Sequence, residues 1–138
     1  MRLACLTALL TIALAIGACG TDDAADAEST VSSAISAVAA GDSDKVCSKL
    51  TPAAEQKALV ALRNNPVGPN IHARTCEEAL TKLHASLTKA QKAVLVDGEV
   101  GDAKVTGDKA KVHVVGAGMD VELQKRDDAW VITGGFFN

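Results

Sequence analysis

Tyrosine is absent from this chain of 138 residues, and its aromatic side chains are limited to one Trp and two Phe. Without tyrosine, the protein cannot use a tyrosine hydroxyl as an oxyanion-hole donor. A surplus of positive charge is also missing, because 14 Lys and Arg residues stand against 17 Asp and Glu residues. Nucleic acid selects basic surfaces, so this mildly acidic chain is not expected to bind it.

Cys-x-x-Cys motifs are absent as well. The four cysteines, Cys5, Cys19, Cys47 and Cys76, lie far apart in the chain, and no suitably spaced histidine accompanies the last two. This pattern argues against a zinc site and against thioredoxin-type redox chemistry. We therefore expect no metal and no cofactor.

The N-terminus carries the longest uncharged stretch, a run from residue 3 to residue 19 that follows Arg2. A basic residue, an apolar segment and then small residues are typical of a secretory signal. The run is slightly shorter than the roughly 20 residues that span a bilayer. The sequence IGAC at 16–19 resembles the bacterial lipobox, which implies that diacylglycerol is attached to the Cys19 sulfur and that residues 1–18 are cleaved off.

The lipobox predicts a lipoprotein that is anchored to the cell membrane on its extracytoplasmic face. An ordinary cleaved signal with a chance cysteine and an uncleaved anchor remain as alternatives. Removal of residues 1–18 takes away Arg2 and no acid, so the net charge changes from −3 to −4, which gives no reason to expect attraction to anionic headgroups. Residues 19–29 are small and acidic, and they predict a flexible tether between the anchor and the domain.

Two cysteines are left for the domain, because Cys5 leaves with the signal and Cys19 takes the lipid. An exported domain meets an oxidising compartment, where we expect Cys47 and Cys76 to form a disulfide. Closure of a loop of about 30 residues stabilises a fold by roughly 3.5 kcal/mol in the chain-entropy model. Buried free thiols and a catalytic thiol are the alternatives.

Residues 30–138 predict a single α+β domain, because the apolar period changes near residue 97. Before it, apolar residues recur at helical spacing, and Thr51 with Pro52 predicts a helix start. After it, the period is two, which predicts an antiparallel sheet of three or four strands with a hairpin turn at 107–108. The last strand is apolar on both faces, so we expect it inside the sheet.

Several segments together resemble the small actinobacterial lipoproteins with an NTF2-like (cystatin-like α+β cone) domain. They are a helix ending in AAGDSDKVC, a helix LTPAAEQKAL, a second Cys on a following helix, and the hairpin VELQKRDDAWVI. The resemblance implies N-terminal helices packed on a C-terminal antiparallel sheet that forms a reduced cone. Enzymes of this superfamily use Tyr, Asp and His inside the cone, and this chain has no Tyr.

Two classes of function follow. The favoured class is a non-enzymatic binding or accessory domain for a small apolar ligand, a lipid or a partner protein, because no convergent polar cluster is evident. Its weak ligand-facing candidates are His113 and Trp130, and no catalytic residue is assigned. The alternative is a small hydrolase or isomerase that uses His113 or His84 with a carboxylate such as Asp120 or Glu122.

Overall fold

Helices come first in the chain and strands come last. The computed structural model describes residues 19–65 and 68–137, with side chains from residue 22 onward, so the predicted signal at 1–18 lies outside the described residues. The helices are α1 (Cys19–Ala40), α2 (Ser43–Cys47), α3 (Pro52–Arg63), α4 (Cys76–Ser86) and α5 (Lys89–Val96). The strands are β1 (Val100–Thr106), β2 (Lys109–Val114), β3 (Met119–Arg126) and β4 (Ala129–Gly134). In the described part of the chain, no helix has both the length and the apolar character to cross a bilayer.

The predicted α+β class is confirmed. The four strands form one antiparallel sheet in the order β1-β2-β3-β4, and the helices of the N-terminal part pack against it. The hairpin turn between β1 and β2 begins at Gly107, whose φ of 62° is a left-handed conformation that glycine adopts at low cost. Strand β2 alternates exposed and buried residues, so one face of the sheet points to the helices and the other to water.

Local sequence chemistry explains where the helices begin. The Ala54 N–H donates to the Thr51 side chain, and Pro52 occupies the first position of α3. Helix α5 begins with a capping box, in which the Thr88 side chain accepts from the Gln91 N–H and the Gln91 side chain accepts from the Thr88 N–H. Both starts agree with the sequence, since side-chain oxygens at these positions satisfy backbone donors that the helix leaves without partners.

The core lies between α1 and the inner face of the sheet. Its largest fully buried side chains are Val31, Val46, Val112, Val121, Leu123 and Ile132. A smaller cluster, formed by Leu59, Leu62, Ile71, Ala73 and Ala79, packs between α3 and α4. Each fully buried aliphatic side chain contributes about 1.5–3 kcal/mol relative to an exposed one, so these clusters supply most of the driving force for folding.

The predicted disulfide is confirmed. Cys47 at the end of α2 and Cys76 at the start of α4 are bonded, with their Cα atoms 6.0 Å apart, and both residues are buried. The bond therefore joins the inward sides of two helices.

Residues 19–29 correct the sequence-based prediction, because they are helical and do not form a flexible tether. Ala27 is fully buried, and Lys125 Nζ donates to Asp23 Oδ1 at 2.6 Å. Alanine is the strongest helix former, and acids in the first turn favour the helix dipole, so this composition suits a helix once the sheet supplies partners.

The position of β4 also differs from the prediction. We expected the last strand inside the sheet, but β4 is the last strand in the sheet order. Its outer side is bonded to an extended segment instead, since the Thr51 N–H donates to the Ile132 carbonyl and the Ile132 N–H donates to the Lys49 carbonyl. This isolated bridge, and not a fifth strand, pairs part of the outer edge of β4.

Candidate functional site: an apolar groove at helix α5

Helix α5 buries none of its residues, although three consecutive apolar side chains end it. Val94 and Val96 are each 64% exposed, and Leu95 is partly buried against the core. Single exposed apolar residues are common on proteins, but contiguous ones beside a concavity mark interaction sites.

Three adjoining clefts surround α5, and we call them together the α5 groove. The turn cleft, of about 370 Å³, lies between α5 and the β2–β3 turn and includes Val94, Leu95, Val115 and Met119. The inner cleft, of about 180 Å³, is lined by Ile35, Val38, Leu83, Leu87, Leu95, Met119, Phe136 and Phe137. The outer cleft is a shallow, open surface that is lined by Leu87, Ala90, Gln91, Val94 and Leu95. Leu95 lines all three.

The chemistry of the α5 groove is almost entirely apolar. Its polar side chains lie at the rim, where Asp97 and Glu99 border the turn cleft and Gln91 borders the outer cleft. No Lys, Arg or His is among the described residues that line the three clefts. A site of this size and polarity suits the apolar body of a ligand and offers no cation for an anionic headgroup.

His84 braces the groove and does not face into it. Its Nδ1 lies 3.2 Å from the Val38 carbonyl oxygen, and its Nε2 lies 3.1 Å from Lys92 Nζ on α5. Because a carbonyl only accepts and an ammonium only donates, Nδ1 carries the hydrogen and Nε2 accepts. His84 therefore ties α1, α4 and α5 together. A Cβ at Gly41 would lie 3.0 Å from the His84 ring, so this packing also requires the glycine that ends α1.

His113 and Asp120, which the enzymatic alternative would use, do come together. They are cross-strand neighbours, with His113 Nδ1 2.8 Å from Asp120 Oδ1, and each side chain is 53% exposed. The hydrogen bond from His113, helped by the charges of Lys111 and Lys104, lowers the pKa of Asp120 below its ordinary value. Among the described residues, no hydrogen bond joins the pair to a third side chain. The pair lies on the open face of the sheet, outside the α5 groove, whereas acid–base catalysis requires such a pair to face a reacting group in a cavity.

The same open face carries a polar depression of about 570 Å³. Lys104 and Lys111 lie directly opposite each other within it, and Lys111 Nζ is 3.9 Å from Glu122 Oε1. Glu122 is thus an exposed partner of a lysine and does not pair with either histidine. The depression is a solvated sheet surface, as the alternating sequence predicts.

Trp130 is the second sequence candidate that lies away from the groove. It is only 5% exposed, packs in the core, and has the Lys125 ammonium 6.0 Å from its ring centroid. Trp130 is not among the residues that line the three clefts, and its ligand-facing role stays a prediction.

The residues that line the α5 groove were not predicted from the sequence. A signal was present in KAQKAVLV, where three consecutive apolar residues exceed the single stripe that a helix of two turns needs for packing. No sequence pattern indicates that Met119 and Val115 line the groove, because only the fold brings the β2–β3 turn to α5.

No protein-family model, no curated protein and no solved structure matches this chain. Among the described residues, no group of three or more His, Cys, Asp or Glu side chains is placed to hold a metal ion.

Proposed function

We propose that this protein is an exported lipoprotein, anchored to the membrane through Cys19, whose domain binds an apolar small molecule or a lipid chain in the α5 groove without catalysing a reaction. The observation that carries the proposal is a helix whose apolar side chains are exposed beside apolar clefts. The anchor is supported by the lipobox-like sequence at 16–19, and a disulfide agrees with export to an oxidising compartment. The NTF2-like resemblance stays a prediction.

Burial of apolar surface is the expected source of affinity. Each methylene that enters the groove contributes about 0.8 kcal/mol before the entropic cost of association. Asp97 and Glu99 border the turn cleft without a lining cation, so a carboxylate or phosphate headgroup would be repelled there. The groove thus favours a ligand whose polar end is neutral or positively charged.

Binding of a neutral apolar fluorophore tests this function. We expect N-phenyl-1-naphthylamine to bind the purified full-length protein with enhanced fluorescence, and V94D to weaken binding at least about tenfold, equivalent to about 1.4 kcal/mol. The matched control is V60D on α3, since Val60 is 56% exposed and lies outside the groove. Equal affinities for the parent and V94D, or equal losses in both variants, would contradict the proposal. Native mass spectrometry of protein extracted from its own membrane would then give the mass of the natural ligand.

A further inference from the structure

We propose that α1 is a rigid strut between the lipid anchor and the sheet. It holds the domain on the bilayer so that the end of the sheet with the β1–β2 and β3–β4 turns faces the membrane. The α5 groove then opens on the side away from the membrane. This inference rests on the anchor at Cys19 in the proposed function and deepens it, because it fixes the side from which a ligand enters.

The start of α1 is fixed to the sheet by three kinds of contact. Asp23 forms its ion pair with Lys125 on β3, and both side chains are partly buried, at 27% and 29% exposure. One turn later, Ala27 is fully buried. The Ala103 N–H, at the bulge of edge strand β1, donates to Glu28 Oε1 at 2.8 Å. From Asp23 onward, these contacts hold the helix against the sheet.

The distance from the anchor to this fixed point is short. Cys19 precedes Asp23 by four residues, which span about 6 Å as a helix and at most about 14 Å if fully extended. A flexible tether over residues 19–29 could have reached nearly 40 Å. The domain is consequently confined to the immediate neighbourhood of the bilayer.

The directions of α1 and β3 show that the α5 groove lies at the end of the sheet opposite the anchor. Helix α1 passes from Asp23 to Ile35 in the groove, a rise of about 18 Å over 12 residues. Strand β3 runs the other way, from Met119 in the groove to Lys125, which is about 20 Å over six residues. The Lys125 N–H donates to the Asp108 carbonyl, so the β1–β2 turn also belongs to the anchor end.

The anchor end is acidic. Its exposed acids are Asp22, Asp26, Asp108, Asp127 and Asp128, and the bases near them are Lys109, Lys125 and Arg126. Anionic headgroups repel such a surface, so the acyl chains and not surface charge hold the domain in place. A ligand therefore reaches the α5 groove from the aqueous side and not by direct transfer from the underlying bilayer.

Energy transfer to the membrane tests the orientation. The protein is purified from the envelope of a host that processes lipoproteins, and intact mass establishes acylation of Cys19. Single cysteines are introduced as T106C at the anchor end and V115C at the groove end, and each is labelled with the same donor dye. With Cys19 acylated and Cys47 bonded to Cys76, the new thiol is the one that reacts. In vesicles of zwitterionic lipid with headgroup acceptors, we expect at least twofold more transfer from position 106 than from position 115.

A second version of each protein carries 12 Gly and Ser residues inserted after Thr21. If α1 is a strut, the insertion lowers transfer from position 106 and makes the two positions nearly equal. Equal transfer from both positions without the insertion, or more transfer from position 115, overturns the strut while the anchor stands. Unmodified Cys19 in the intact mass overturns the anchor, and the strut with it.

Discussion

The start of α1 and helix α5 are both helical, yet the molecule holds them in opposite ways. The first turns of α1 contain no large apolar side chain, but an ion pair, a buried alanine and a hydrogen bond to the sheet edge attach them to the domain. Helix α5 ends in Val94, Leu95 and Val96, but it buries none of them and packs mainly on α1. Whether a helical segment is held against the domain therefore depends on which residues the fold brings next to it, and not on how apolar the segment itself is.

The two regions also differ in what maintains the helix itself. Helix α5 is supported locally, by the Thr88–Gln91 capping box, and its low burial should make it the more easily opened of the two segments. The start of α1 depends on long-range contacts, which make it rigid. This difference agrees with the proposed anchoring through the start of α1 and the proposed ligand binding beside α5.

An aspartate placed in each helix should give the largest difference between the two regions, measured as the loss in the free energy of unfolding. In A27D, a carboxylate replaces a fully buried methyl group, so we expect the free energy of unfolding to fall by about 3 kcal/mol or more. In A93D, on the exposed side of α5, we expect a change of less than about 0.5 kcal/mol. Urea unfolding measures both. A tolerated A27D would mean that the start of α1 is not packed on the sheet.

Removal of the disulfide should loosen α5, at the groove end, more than it loosens the start of α1. In the double variant C47A/C76A, loss of the bond between α2 and α4 should cost about 3.5 kcal/mol, because the 29-residue separation closes a loop of about 30 residues. Helix α4 carries His84, which braces α5, so amide hydrogen exchange should rise more in residues 89–96 than in residues 23–30. A uniform rise in both segments would show that the two regions open as one unit.

Two threonine N-caps offer a matched test of how α5 is held. Thr51 caps α3 and is buried, whereas Thr88 caps α5 and is exposed. We expect T51A to lower the global free energy of unfolding by about 1–2 kcal/mol. We expect T88A to change it by less than about 0.5 kcal/mol while it speeds amide exchange in residues 89–96. If T88A lowers the global free energy of unfolding as much as T51A does, α5 unfolds together with the rest of the domain and does not open locally.

Local chemistry made much of this fold predictable. The capping residues of α3 and α5, the hairpin at Gly107 and the disulfide follow from interactions within a few residues or from the count of cysteines. The tether over residues 19–29 was predicted wrongly because its partners, Lys125 and Ala103, lie more than 70 residues further along the chain. The groove escaped prediction for the same reason, since a concavity is formed by distant segments and leaves no pattern in any one of them.

The smallest expected effect concerns the ion pair that fixes the strut. The hydrogen bond to Asp23, with the charges of Asp128 and Asp26, raises the pKa of Lys125 above its ordinary value of 10.5. Because the folded protein holds this proton more tightly than the unfolded chain, the stabilising contribution is complete below about pH 10.5. It is lost as the pH rises through the higher pKa of the folded state. D23N should therefore flatten the alkaline fall in the urea midpoint, whereas D120N, which removes the exposed partner of His113, should flatten the acid fall, because the lowered pKa of Asp120 gives a contribution that is lost as the pH falls. A D23N profile parallel to that of the parent above pH 10 would show that Lys125 is not held by Asp23, and the start of α1 would then depend on Ala27 and Glu28 alone.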